Sequence, residues 1–195
     1  KNGLASPYLL GISAGSGLVI VFFISFGLTQ SFIPFAAWVG AVLTTLIVFI
    51  LSRDGNKIVV ERLVLGGVAV SSLFGAIQAT LLLQVEDGRI QAALNWLIGS
   101  LNARGWEDIK FVALPILIAL FIGLFLSRQL NLLGLGDELS ISLGNSLFRS
   151  RCLIGAVATL LTACAVSIGG LIGFIGLIVP HFSRLIIGND FKYIL

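Results

Sequence analysis

Long apolar runs, each near the length of a bilayer crossing, alternate along this chain with short polar intervals. A hydrocarbon core about 30 Å thick needs about 20 apolar residues in a helix. Five intervals approach that length: Tyr8 to Leu28, Phe32 to Leu51, Leu63 to Val85, Ile109 to Leu126, and Cys152 to Ser167. A shorter helix is expected from about Phe174 to Gly188, because the apolar run after Arg151 is too long for one span and is best cut at Gly169-Gly170. The first two spans are joined by the tight turn Thr29-Gln30-Ser31. Pro34 falls in the first turn of the second, where its missing N–H costs little. Ile90 to Leu101 is too short to cross and too apolar to float. It should be a partly buried helix that caps the bundle or borders a vestibule, with Trp96 and Trp106 as interface aromatics.

One interval fits neither class. Asn131 to Leu147 reads NLLGLGDELSISLGNSL, a loop carrying a short surface helix. Leu135, Leu139 and Leu143 recur at i, i+4 and i+8 as one stripe, while Asp137, Glu138, Ser140 and Ser142 occupy much of the remaining circumference. Gly136-Asp137 before the stripe and Gly144 after it supply a start and a stop. Such a helix is either a docking element or an interfacial helix lying on lipid headgroups, and the acidic pair Asp137 and Glu138 disfavours anionic headgroups.

Composition fixes the class. Apolar residues make up 57% of the 195, charged residues 11%, and the mean hydropathy is +1.09. These values describe an all-α polytopic membrane protein. The start Lys-Asn-Gly-Leu-Ala-Ser-Pro and the absence of Met lead us to expect an internal fragment. A net charge of +3 gives no reason to invoke nucleic acid, and the basic residues serve better as topology markers. With the N-terminal end in the cytoplasm, Lys1, Arg53, Lys57, Arg62, Arg128, Arg149, Arg151, Arg184 and Lys192 fall inside. Arg89, Arg104 and Lys110 fall outside. Nine against three favours this orientation, which makes the 131–147 loop cytoplasmic.

Candidate chemistry is sparse. Cys152 and Cys164 lie twelve residues apart in one predicted helix, roughly 18 Å along its axis and beyond disulfide reach. With one His and no Cys cluster there is no metal-ligand set. Small residues recur instead: Gly11, Ala14, Gly15 and Gly17 in the first span, and Gly66, Gly67, Ala69, Ser71, Ser72, Gly75 and Ala76 in the third. They allow close helix packing. On the third span they are spread around the circumference, so one face can pack while Ser71, Ser72 and Gly75 border a water-filled path.

Several motifs resemble, in order and spacing, those of the permease subunits of ABC importers for iron-siderophores, haem and cobalamin, the FecCD-type family. They are LASPYLLGISAGSG at 4–17, ERLVLGGVA at 61–69, WLIGSL at 96–101, Gly136-Asp137-Glu138 through Leu143-Gly144, and GLIGFIGLIVPH at 170–181 with Arg184. The last, containing Gly173, Gly176, Pro180 and His181, is the most specific. The resemblance covers residues 1–195 as a single permease domain and implies about six of the ten helices of a type II importer permease, without the N-terminal and C-terminal ones. It places the subunit in the bacterial cytoplasmic (inner) membrane. It further implies a second permease subunit, two ATP-binding cassette ATPase subunits and an extracytoplasmic substrate-binding protein.

By the same resemblance, Gly136, Asp137, Glu138, Leu139, Leu143 and Gly144 form a coupling helix whose Leu stripe faces either the ATPase or the permease body. Val59, Val60 and Glu61 stand at the cytoplasmic gate, where Val60 and Glu61 depart from the small hydroxylated residues of some relatives. A Val constriction would close by dewetting. No cofactor is expected in this chain: it has no GxxxxGK[ST] loop, and Gly169 to Gly176 lacks the Lys and hydroxyl that phosphate and Mg²⁺ require. ATP and Mg²⁺ would be bound by the partner ATPase, and the chain itself would not be an enzyme. A lone His181 is a poor metal site and reads as structural, with Pro180 starting the short helix. Arg184 is expected on backbone carbonyls or a carboxylate. Arg89 and Arg104 would meet acidic residues of the binding protein or simply remain solvated.

Two other classes compete. An ion-coupled secondary transporter would show intramembrane acids at the midplane, which the spans lack. A non-transporting membrane scaffold is compatible with an ordered cytoplasmic helix, and co-purification of an ATPase separates it from an importer.

Overall fold

The computed structural model describes residues 11–28, 32–55, 57–102, 105–173, 175–188 and 191. In chain order the elements are α1 (Ile12–Ser25), α2 (Ile33–Ser52), the two-residue strands β1 (Arg53–Asp54) and β2 (Lys57–Ile58), α3 (Val60–Leu82), α4 (Asp87–Ile98), α5 (Trp106–Gly134), α6 (Asp137–Ser142), α7 (Leu147–Gly169) and α8 (Ile175–Ile187). Among the described residues, four helices are long and apolar enough to cross a membrane: α2, α3, α7 and the 109–134 part of α5. The described part of the first predicted span is the 14-residue apolar α1. The residues before Gly11 and the predicted turn at 29–31 lie outside the described residues.

The bundle is organised around α2, which packs on α1, α3 and α7. Its contact with α1 is the closest because glycine meets glycine: a Cβ on Gly40 would stand 2.5 Å from the Gly15 carbonyl oxygen. Ser16 Oγ donates across this contact to the Ala37 carbonyl at 2.9 Å. Thr44 and Thr45 each donate to their own i−4 carbonyls, and Thr159 Oγ1 of α7 lies 3.3 Å from Thr45 Oγ1. Small residues thus bring backbones together and hydroxyls join them where no water is present. The apolar core beside this contact gathers Ile20, Ile24, Ile33, Ala37, Ala93 and Val166.

At one end of the bundle, α4 contributes the fully buried Ala93 to that core and caps it. Trp96 packs against the same cluster rather than serving as an interface aromatic, whereas Trp106 is exposed. The end of α4 is clasped to the turn between α7 and α8 by backbone hydrogen bonds. Ser100 N donates to the Gly169 carbonyl at 2.8 Å, and Leu171 N to the Trp96 carbonyl at 3.3 Å. Gly99 and Gly170 have φ of +80° and +73°, and a Cβ on Gly170 would stand 2.5 Å from the Trp96 oxygen, so glycine is required at both positions. The expected cut after Gly169 is therefore where α7 ends.

Two expectations are corrected. The fourth span does not stop at Leu126: α5 runs on to Gly134, because hydropathy falls at Ser127 to Asn131 while helix propensity does not. Asn131 through Gly134 are helix rather than loop. Pro180 does not start the last helix but lies inside α8, where it leaves the Gly176 carbonyl without its usual donor.

The glycine contact yields a paired prediction for the full-length permease in detergent. Gly15→Ala, whose Cβ would collide with the Thr44 side chain and with the Gly40 carbonyl 2.7 Å away, should destabilise by about 1–3 kcal/mol. Gly123→Ala, whose nearest neighbour would be Val157 Cγ1 at 3.9 Å, should be neutral or slightly stabilising. Thermal unfolding monitored by tryptophan fluorescence checks both, and equal responses would contradict the packing described.

Candidate functional site

The end of the bundle opposite α4 collects the β1–β2 hairpin, the start of α3, the end of α5, α6 and the start of α7. The basic residues follow: Arg53, Lys57, Arg62, Arg128, Arg149 and Arg151 belong to this end, Arg89 and Lys110 to the other. Arg104 lies outside the described residues.

Helix α6 is short, bracketed by Gly136 (φ +102°) and Gly144 (φ +80°). The Leu stripe is longer than the helix: Leu135 precedes it and Leu143 is its C-cap. All three leucines point away from the protein, Leu135, Leu139 and Leu143 being 55%, 57% and 57% exposed, with Ile141 beside them at 58%. Ser140 reverses its expected place on the polar surface, being 0% exposed. Its Oγ accepts from Asn145 Nδ2 at 2.8 Å, and its carbonyl accepts from Asn145 N at 3.0 Å. Asn145 Oδ1 in turn accepts from Ser150 Oγ of α7 at 2.6 Å. The helix is thus seated on the protein through a buried polar knot at Ser140 and presents Leu139 and Ile141 outward beside the exposed Asp137, Glu138 and Ser142, whereas an ordinary surface helix buries its apolar stripe.

Arg151, in the early part of α7, holds α6 from another side. Its Nη2 donates to Asp137 Oδ1 at 2.7 Å and to Oδ2 at 3.0 Å, while Nη1 donates to the Ile58 carbonyl at 2.7 Å. The arginine side chain is 18% exposed and the aspartate 52%. Ile58 pairs with Arg53 in the hairpin, and Val59 N closes the hairpin on the Ser52 carbonyl at 3.1 Å. Arg53 lies over the Phe148 ring at 5.8 Å and Asp54 pairs with Arg62 at 3.6 Å. Val59 is the N-cap of α3, and the exposed Val60 and Glu61 open its first turn.

From sequence alone Arg151 is a topology marker and Asn145 and Ser150 have no assigned role. One signal was available: basic residues at the start of a helix oppose its dipole. α7 begins with Arg149 and Arg151 and has no acid in its first turn, which calls for a carboxylate from elsewhere.

The three path residues on α3 separate. Ser71 faces inward, its Oγ buried without a hydrogen-bond partner among the described residues. Ser72 is exposed and donates to the Val68 carbonyl at 3.0 Å, and Gly75 has open space where a Cβ would be. One exposed stripe of α3 carries the small residues Ser72, Gly75, Ala76 and Ala79, with Leu65 and Val68 nearer its start, while exposed Leu73 and Ile77 lie beside it. Close packing within the chain explains Gly67, which is buried, but not Gly75.

In the 170–184 motif, Gly173 and Gly176 are exposed. His181 is exposed and edge-on to Phe182, with centroids 6.5 Å apart. The guanidinium of Arg184 lies 6.0 Å over the Phe191 ring, and among the described residues no carbonyl or carboxylate bond to it is found. Phe191 N donates to Asn131 Oδ1 at 3.2 Å, fastening this segment to the last turn of α5. At the opposite end, exposed Arg89 pairs with Glu86 at 3.4 Å. Both cysteines are free thiols on α7. Among the described residues no three His, Cys, Asp or Glu side chains converge to hold a metal ion.

The whole chain, residues 1–195, matches the FecCD transport family. It is 34% identical over its full length to a cobalamin import system permease protein of Halobacterium salinarum, covering 53% of that protein. It is 37% identical over its full length to a hemin transport system permease protein of Yersinia pestis, covering 60% of it. Among solved structures, a chain described as an inward-facing conformation, of metal-chelate ABC transporter type, superposes with a TM-score of 0.92 at 30% identity. The match covers 99% of this chain and 62% of that one. The chain thus spans a little over half the length of the curated relatives it matches.

The knot beneath α6 generates a prediction of its own. Asn145→Ala removes the partner of two hydroxyls, one of them fully buried, and should cost about 1–3 kcal/mol locally. Amide hydrogen exchange in α6 should rise roughly tenfold or more while α2 is unaffected; unchanged exchange in α6 would contradict the seating described.

Proposed function

Because the chain belongs to the FecCD transport family, we propose that it forms part of the permease subunit of an ATP-driven importer for a metal chelate, an iron-siderophore or haem, or for cobalamin. The named relatives carry hemin and cobalamin, and the shared chemistry is a large chelate. The observation that carries the coupling part of this reading is α6: an apolar face turned outward over a polar, buried seat. A helix with that polarity needs a partner. At the basic end of the bundle, which the positive-inside rule assigns to the cytoplasm, the partner is an ATPase subunit. Two such subunits bind ATP and Mg²⁺, and closure of their dimer moves α6 as a lever.

The open face of α3 supports a path between two permease subunits. Small side chains and the Ser72 hydroxyl line it without the cost of a charge in the membrane, and Val59, Val60 and Glu61 lie where that face meets the cytoplasm. Valines there close the path by excluding water. Arg89 belongs to the other end, where an extracytoplasmic binding protein would deliver the chelate. In a bacterium the whole assembly sits in the cytoplasmic (inner) membrane.

Two outcomes test this reading. Leu139→Asp, which sets a charge in the apolar face of α6, should lower ATPase co-purification with the full-length permease by at least about tenfold, because desolvating a carboxylate costs more than the 1.4 kcal/mol that factor represents. Normal recovery of the ATPase would remove α6 from the docking surface. A cysteine at exposed Glu138 should react with an impermeant maleimide only from the cytoplasmic side, and reaction from outside would reverse the topology. Ser140 is unsuitable as a probe because it is buried.

A further inference from the structure

We propose that Arg151 is the positioning residue that makes α6 and the gate-side hairpin move as one body, so that displacement of the coupling helix reaches Val59, Val60 and Glu61; this rests on the coupling and gate roles given above. One guanidinium carries both connections. Nη2 is bound to both oxygens of Asp137 on α6, and Nη1 to the carbonyl of Ile58. That carbonyl belongs to the peptide linking Ile58 to Val59, so the contact lies one residue from the N-cap of α3. The two anchor points are separated by 79 residues of sequence and are joined through this one side chain.

The chemistry of arginine suits the task. Its planar fork offers donors in fixed relative directions, so two acceptors bound to one guanidinium keep a fixed separation. A lysine at the same place has a single nitrogen and cannot hold a carboxylate and a carbonyl in that geometry. The arginine side chain is largely withdrawn from solvent, at 18% exposure, while Asp137 is 52% exposed, so the guanidinium end of the pair is the better shielded one. Neighbouring residues of the same turn serve the same two segments. Ser150 reaches the α6 knot through Asn145, and Phe148 lies under Arg53 of the hairpin. The start of α7 is therefore the common seat of both segments, and Arg151 hydrogen-bonds to both.

The test uses the complete transporter in vesicles, in a background lacking native cysteines, with a single cysteine at Val60 as the probe. The rate of its reaction with an impermeant maleimide is compared between nucleotide-free and ATP–vanadate states, alongside ATPase co-purification and ATP hydrolysis. In the parent the rate should change by about fivefold or more, within the usual range of coupling between sites. With Arg151→Ala the change should vanish while ATPase recovery and hydrolysis stay within about twofold of the parent. Arg151→Lys should restore only part of it. Asp137→Asn, an exposed and conservative change that weakens the charge-assisted bond, should reduce it in the same direction and guards against misfolding of the alanine variant.

A full nucleotide response in Arg151→Ala would overturn the role of the arginine and leave the docking of α6 standing. Loss of the ATPase from that variant would overturn it too, making Arg151 part of the docking surface. If the parent itself shows no nucleotide-dependent reaction at Val60, the gate assignment fails and this proposal fails with it.

Discussion

A hydrocarbon interior supplies no hydrogen-bonding partner to the backbone, so every peptide group inside it must be satisfied within a helix or by a neighbouring one. Much of this chain follows from that constraint. Regular helix fills the spans, and glycines and hydroxyls are used where helices touch: Gly15 against Gly40, Ser16 on the Ala37 carbonyl, Thr159 beside Thr45. Irregular backbone is pushed to the two ends of the bundle, and the candidate machinery lies there.

The two ends are fastened by different chemistry. At the α4 end the clasp is backbone to backbone, made possible by Gly99 and Gly170 at positive φ, with Ala93 sealing the core beneath. Glycine contacts of this kind have no slack, since even a methyl group would collide. At the hairpin end the fastenings are side-chain hydrogen bonds and an ion pair, centred on Ser140, Asn145, Ser150, Asp137 and Arg151. These hold α6 at a defined position while leaving its leucines to a partner. Under the proposed function, the α4 end would be a rigid outer seal and the hairpin end an ionic joint on the side where the ATPase acts.

Much of this was legible in the sequence because composition and spacing carry it. Apolar run length located α2, α3 and α7, the glycine pair marked the end of α7, and the count of Lys and Arg separated the two ends. The glycines flanking α6 were readable, as was the outward stripe of Leu135, Leu139 and Leu143, although its facing was not. What escaped depends on tertiary partners. Periodicity places Ser140 among polar neighbours and cannot reveal that a distant Asn145 receives it. Hydropathy ends the fourth span at Leu126, whereas α5 persists because helix formation continues past the apolar stretch. Arg151 offers only a topology marker in the sequence because its two partners lie 14 and 93 residues away. The 170–184 motif identified the family well, yet Pro180 lies within α8 and Arg184 faces a ring, since a motif records residue order and not surroundings.

The central claim is that the outward face of α6 belongs to an ATPase and not to lipid or solvent. A photo-activatable phenylalanine analogue at Leu139, irradiated in native membranes containing the complete transporter, tests it most directly. The account predicts a covalent product of permease and ATPase, identified by mass spectrometry with the adduct at residue 139. Adducts to lipid alone, in membranes where the ATPase is bound, would contradict it.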